Sequence, residues 1–254
     1  MTPTHHRAPL LTWAVLLLAL ASIARPAAAQ TFAAEGPSES PQRFSFEARF
    51  GPYSPDIDAS LPDVRGGQGP YAATFGSESR FYTEFEFDWQ AFRFYVGSFG
   101  VGGAAGIFSA TAKALAEDSS QRSEDDTSLW VLPLTLLVNL RFDYFAERWN
   151  VPLVPFFKFG LTYALWWATD ADGVAEAGGE QGSGGTAGLR IGGGLMLRLD
   201  WIEPRVARTF DNEFGVNHSY LFFEWYWAWL DGFGAEDRMN LTDSTWALGV
   251  ALEF

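Results

Sequence analysis

Apolar side chains recur at every second position over eight stretches of this chain, separated by charged, hydroxylated or glycine positions. In Arg43 to Phe50, Phe44, Phe46, Ala48 and Phe50 share one face and Ser45, Glu47 and Arg49 the other. Phe81 to Trp89 sets phenylalanines and Trp89 against Tyr82, Glu84, Glu86 and Asp88; a third run starts at Phe92, with Arg93 on its polar side, and continues through the glycine-rich stretch Phe99 to Ala110. Trp130 to Tyr144, Phe157 to Trp167, Leu189 to Trp201, Tyr220 to Trp229 and Ser244 to Phe254 complete the set. A period of two is the signature of a β-strand whose two faces meet different surroundings. The prediction is therefore an all-β chain of eight strands, with ten as the alternative.

A soluble β-sandwich would also alternate, burying its apolar face. Two features favour lipid instead. Aromatic residues gather near the strand ends, at Trp89, Trp130, Tyr144, Trp167, Trp201, Trp229 and Trp246, where the interfacial girdles of a membrane barrel are expected. Connections are long after the first, third, fifth and seventh strands and short after the second and fourth, the habit of an up-and-down transmembrane barrel. The stretch 202–217 departs from that rule and has room for a short helix.

The inward positions then form a charged network: Glu47, Glu84, Glu86, Asp88, Asp143, Asp200, Glu224 and Glu253 against Arg49, Arg93, Arg141, Lys158, Arg190 and Arg198. An eight-stranded barrel is just wide enough for side chains to fill it, so the expectation is a lumen plugged by ion pairs. A narrow pore for ions or small solutes is the alternative.

Composition assigns a compartment. Arg7, the apolar run Leu10 to Ala24 and the small residues Ala27 to Ala29 read as a secretory signal peptide over 1–29, cleaved before Gln30. A periplasmic segment 30–42 and a barrel over 43–254 follow. Removing the signal takes two of the 17 basic residues and none of the 31 acidic ones, leaving a net charge of −16. That charge argues against nucleic-acid binding, and the absence of cysteine excludes disulfides and thiolate metal sites. No later segment reaches the ~18 uninterrupted apolar residues of a membrane helix.

The chain resembles the small outer-membrane β-barrels of Gram-negative bacteria, the class that includes OmpA-like and OmpW-like proteins. The clearest token is the terminal strand Trp246-Ala-Leu-Gly-Val-Ala-Leu-Glu-Phe254. The resemblance implies that Phe254 is the signal read by the barrel assembly machinery, and that the protein lives among outer-membrane lipid and lipopolysaccharide. The stretches Phe50-Gly-Pro-Tyr-Ser-Pro-Asp-Ile-Asp58 and Phe210-Asp-Asn-Glu-Phe-Gly-Val-Asn-His-Ser-Tyr-Leu-Phe-Phe-Glu224 look like a subfamily with no assigned activity.

Candidate chemistry is sparse. After signal removal His218 is the one histidine, and grouping it with Asp211 and Ser219 as a triad requires geometry that spacing does not supply; a turn histidine satisfying backbone groups is the expectation. Gly182-Ser-Gly184-Gly185-Thr-Ala187 matches a dinucleotide fingerprint without its strand and helix, so no nucleotide is expected. No catalytic residue, cofactor or lumenal metal is expected. The four outer loops, 52–77, 112–127, 169–187 and 231–243, carry 16 acidic residues against Arg65, Lys113, Arg122 and Arg238. Carboxylate groups such as Glu124-Asp125-Asp126 suit divalent cations that would bridge to lipopolysaccharide phosphates. The function expected is a structural or interaction barrel of the outer envelope, not an enzyme; a lipid-modifying envelope enzyme is the most distant reading.

Overall fold

The computed structural model describes residues 43–61, 67–115, 122–171, 173–177, 180–200, 215–236 and 238–254. The proposed signal peptide and the segment up to residue 42 lie outside them, as do Trp201, Asp211 and most of the stretch 202–217. Eight long strands form the barrel: β1 (Phe44–Tyr53), β2 (Arg80–Phe94), β3 (Gly97–Leu115), β4 (Arg122–Arg141), β5 (Leu153–Asp170), β6 (Ser183–Arg198), β7 (His218–Trp229) and β8 (Asp243–Glu253). Each pairs antiparallel with its chain neighbours, and β1 pairs with β8, from Ser45 opposite Glu253 to Phe50 opposite Leu248. Closure leaves no free edge, so the strand N–H and C=O groups are satisfied without water. The backbone of Phe254 finishes the seam: its N–H donates to the Phe44 carbonyl, and its own carbonyl accepts from Arg43 and Phe44.

The burial pattern is inverted relative to a soluble sheet. Along β7, Tyr220, Phe222, Glu224 and Tyr226 are buried while Leu221, Phe223, Trp225, Trp227 and Trp229 are exposed. Glu47, Glu84 and Glu224 are completely buried, whereas Leu136 on the outer face is 73% exposed. An apolar exterior around a charged interior is stable in lipid and costly in water. Trp130 and Trp167, stacked across β4 and β5 at 6.3 Å, lie with Trp229 and Trp246 toward the end opposite the β1–β8 seam's termini. Trp89, beside Phe44, lies toward the end that carries both strand termini, called here the inner end.

Several boundaries differ from the alternation-based expectation. Phe92 and Phe94 do not open β3; they prolong β2 past a bulge between Gln90 and Phe92, and the two-residue turn Tyr95–Val96 follows. The glycine-rich stretch is itself the strand β3, in which small residues leave room for the bulky lumenal side chains of β2. A Cβ at Gly102, for instance, would collide with Asp88. The expected loop 112–127 is largely strand, because β3 and β4 run on past Trp130 as a polar hairpin with an exposed Lys113–Asp126 pair at 3.6 Å. The expected loop 169–187 also shortens, with the fingerprint glycines Gly184 and Gly185 lying inside β6, where they leave no phosphate-binding turn.

β4 ends at Arg141, before Asp143 and Tyr144. Asp143 precedes the short helix α2 (Tyr144–Trp149), and Tyr144 sits within it. Tyr144 therefore joins a rim cluster with Tyr95, Phe145 and Trp149 at ring distances of 5.4 to 5.9 Å, and does not end a strand. At the outer end, the first loop folds inward as a 3-10 turn (Ile57–Ser60) and helix α1 (Pro70–Phe75). Asp58 accepts from the N–H groups of Tyr71 (2.7 Å) and Ala72 (2.8 Å), placing an acidic side chain where helix dipoles favour one.

Candidate functional site

The lumen is filled. Toward the outer end, Tyr53, Tyr82, Phe108, Val131 and Tyr226 pack with Ile57 and Tyr71 from the first loop and Leu241 from the last. The Tyr53 hydroxyl donates to the Leu241 carbonyl at 2.8 Å, tying loop to wall. The inner end has two unlike halves. Between β5 and β8, Val154, Phe156, Met196, Tyr220 and Phe222 make an apolar cluster closed by Ala146 of α2. On the β1–β4 side the wall is polar, with Ser45, Asp88, Gln90, Ser98, Asn139 and Arg141.

The charged layer lies between. Arg49 is its hub, donating to Glu224 at 2.6 Å and Glu47 at 3.0 Å, to Glu86, and lying 3.4 Å from Glu84. Lys158 bridges Glu47 and Glu86, both at 2.6 Å. Arg190 holds Glu84 at 2.6 Å, lies 3.7 Å from Glu224, and rests on the Tyr226 ring at 4.1 Å. Arg141 donates to Glu47 at 2.8 Å and to Glu253, which also accepts from Tyr220 at 2.9 Å. Buried charges persist only when paired and hydrogen-bonded. Glycine makes the space here as well, since a Cβ at Gly192 would run into Glu224.

Ten of the fourteen charged residues read as lumenal are thus enclosed: Glu47, Arg49, Glu84, Glu86, Asp88, Arg141, Lys158, Arg190, Glu224 and Glu253. Four are not. Arg93 lies beyond the β2 bulge and pairs at 3.0 Å with Glu147 of α2, both exposed. Asp143 is half-buried at the turn, where burial, with Glu147 close by, raises its pKa. Arg198 and Asp200 stand at the inner rim with His218. Alternation alone extends a face to the end of a run, whereas a bulge or chain reversal ends it physically.

His218 is buried at the start of β7, and among the described residues its ring bonds to side chains and not to the backbone groups expected of a turn histidine. Its Nδ1 donates to Asp200 Oδ2 at 2.5 Å, and the Arg198 guanidinium lies 2.8 Å from Nε2. Ser219 Oγ donates to Asp200, 3.4 Å away. Burial pushes the Asp200 carboxyl up, but hydrogen bonds from His218 and Arg198 outweigh it and hold the group below the usual carboxylate range. A serine nucleophile needs the imidazole as its base; here the carboxylate separates the two.

No family model matches the chain, and no curated protein matches it in sequence. Among solved structures it is similar to the outer-membrane protein OprG of Pseudomonas aeruginosa, at 14% identity and TM-score 0.44, covering 84% of this chain and 96% of that one. It is also similar to Neisserial surface protein A, at 12% identity and TM-score 0.40, covering 83% and 97%. A third similar structure is the attachment invasion locus protein Ail of Yersinia pestis, at 11% identity and TM-score 0.39, covering 84% and 97%.

The polar residues that alternation left in the background are the uncharged lumenal ones. Asn139 donates to Asp88 Oδ2 at 3.2 Å, Gln90 to Glu253 at 2.9 Å, and Thr135 and Thr162 share a hydrogen bond at 2.9 Å. Their inward parity was visible in the sequence, but their partners depend on which strands close together.

Proposed function

We propose that this protein is an integral outer-membrane barrel with a closed lumen, serving a structural or interaction role in the envelope through its outer end. The observation that carries this is the filling of the lumen. An apolar cap that recruits the first and last loops lies over a continuous layer of buried ion pairs, and a solute would have to dismantle both to pass. The lipid-facing surface, with Trp130, Trp167, Trp229 and Trp246 toward one end and Trp89 toward the other, fits outer-membrane lipid and lipopolysaccharide as surroundings. Phe254, which closes the β1–β8 seam, suits the proposed role in assembly. A non-enzymatic reading is supported by the diversion of Ser219 to Asp200.

The outer end carries most of the excess acid. Part of it is structural: Asp58 caps α1, and Asp243 accepts from the N–H groups of Ser54 and Ser244 at 3.1 and 2.8 Å. The remaining carboxylates are suited to divalent cations shared with lipopolysaccharide phosphates. The side chain of Glu124, one of those singled out, lies outside the described residues.

Conductance across planar bilayers tests the closed lumen. The refolded protein is expected to give no steady single-channel steps, and regular steps would replace this reading with a narrow pore. A heat-modifiable band on unboiled detergent gels is expected of the closed barrel; a mature chain soluble without detergent would refute the membrane reading.

A further inference from the structure

The aromatic outer face is broken at the outer rim, between β7 and the start of the first loop. Trp225, Trp227 and Trp229 are exposed along β7, but the residue paired with Trp227 on β8 is Ser244. Just beyond β1 the chain continues as Ser54, Pro55 and Asp56. Short hydroxyl side chains beside two indoles leave a cleft of about 420 Å³, lined by Ser54, Asp56, Trp227, Trp229, Asp243 and Ser244. That volume falls within the range of small-ligand pockets, roughly 300–1,000 Å³.

Backbone hydrogen bonds hold the cleft in shape. The Asp56 N–H donates to the Thr242 carbonyl at 3.1 Å, joining the first loop to the last, and Asp243 accepts from the N–H groups of Ser54 and Ser244. Each Asp243 oxygen accepts one of these bonds and keeps a further lone pair. None of the salt bridges among the described residues reaches Asp243 or the exposed Asp56. Trp229 belongs with Trp130, Trp167 and Trp246 to the outer aromatic girdle. Indoles of such a girdle sit at the depth of lipid headgroups, so the cleft opens where outer leaflet and external solution meet.

We propose that this cleft binds an organic ammonium group, with Trp227 and Trp229 against the cation and Asp56 and Asp243 supplying the opposite charge. Two carboxylates without a base call for a cation, and the indoles decide its kind. A hard metal ion draws oxygen ligands around its whole surface, whereas this cleft gives it tryptophan on one side. An alkylated or primary ammonium is attracted to an indole ring, the best of the aromatic partners, and is bulky enough to use the space. The same chemistry is carried by the headgroup of an amphiphile in the outer leaflet and by a free amine outside the cell. The assignment gives a ligand class to the interaction role proposed for the outer end and rests on that reading; a barrel that conducted ions yet bound the ammonium would leave it standing.

The test follows the indole Nε1–H resonances of Trp227 and Trp229 in the full mature barrel, refolded in an uncharged polyoxyethylene detergent, as choline chloride is added at constant ionic strength. Saturable shifts of both are expected, with Trp89 at the inner end unmoved. Asp56→Asn and Trp229→Leu, both at exposed positions, should each weaken choline binding by about fivefold while keeping the heat-modifiable band of a folded barrel. Dodecylphosphocholine added to the same micelles distinguishes the sources of the ligand. Half-saturation below that of choline assigns the cleft to a lipid headgroup, and equal or weaker binding assigns it to a free ammonium. The absence of saturable shifts with choline, or an affinity unchanged in both variants, would overturn the proposal. Equal shifts from calcium chloride or from glucose would also overturn it, in favour of a metal or a sugar.

Discussion

Replacing Arg49 by methionine should be among the most damaging single changes in the barrel, and the structure shows where the cost falls. The side chain is 1% exposed and touches four carboxylates. Three of them keep a close base without it. Glu47 retains Arg141 at 2.8 Å and Lys158 at 2.6 Å, Glu86 retains Lys158 at 2.6 Å, and Glu84 retains Arg190 at 2.6 Å. Glu224 exchanges a 2.6 Å contact for the 3.7 Å approach of Arg190. Removing one partner of a buried pair costs about 3–5 kcal/mol because the other charge is left uncompensated. The loss should therefore reside mainly in Glu224, and Arg49→Met with Glu224→Gln should recover roughly half of it, since residues in one network do not add independently. Urea unfolding in lipid vesicles, followed by tryptophan fluorescence, measures both variants. A single variant within about 1 kcal/mol of the parent would refute the reasoning, because only a water-filled lumen screens these charges so well.

Three further outcomes follow from other parts of the barrel. Leu136→Arg, on the lipid face and 73% exposed there, should destabilise the barrel in vesicles by about 2–4 kcal/mol as a cation near mid-membrane, read by the same unfolding curves. Gly192→Val would force a branched side chain against Glu224 and Tyr226; a loss of about 1–3 kcal/mol, seen as a lower unfolding midpoint, is expected of such overpacking. Asp200 is held below the usual carboxylate range, so across the acidic window the unfolded chain takes up this proton first. Its contribution is complete above the ordinary carboxylate pKa and disappears as pH falls through the folded one. Stability measured from pH 7 to pH 3 should fall less steeply in Asp200→Asn, and an unchanged slope would remove the role given to His218 and Arg198.

Much of the site was legible because parity in a strand is a local property. Once Phe85, Phe87 and Trp89 are assigned to lipid, Glu84, Glu86 and Asp88 must face the lumen. The misassignments fall where something other than parity acts: the bulge that carries Arg93 to the rim, and the reversal that leaves Asp143 in the turn before α2 and puts Tyr144 within it. The glycine-rich β3 was difficult to delimit because glycine carries no side chain to alternate. Its length is set by the bulky inward residues of β2 that need the space.

The sequence by itself determined the all-β alternation, the inverted placement of apolar and charged faces, and the excess of acid at the outer loops, while the choice of eight strands over ten came with the closed structure. All three follow from the period-two repeat and from composition. Only the tertiary structure decided which charges meet, because Arg49 and Glu224 come together from opposite parts of the chain when β1 closes on β8 and β7 lies beside it. The apolar cap, made by loops without a period, also emerges only on closure. Pairing across a lumen depends on the register of all eight strands at once, and no local pattern in the chain contains that register.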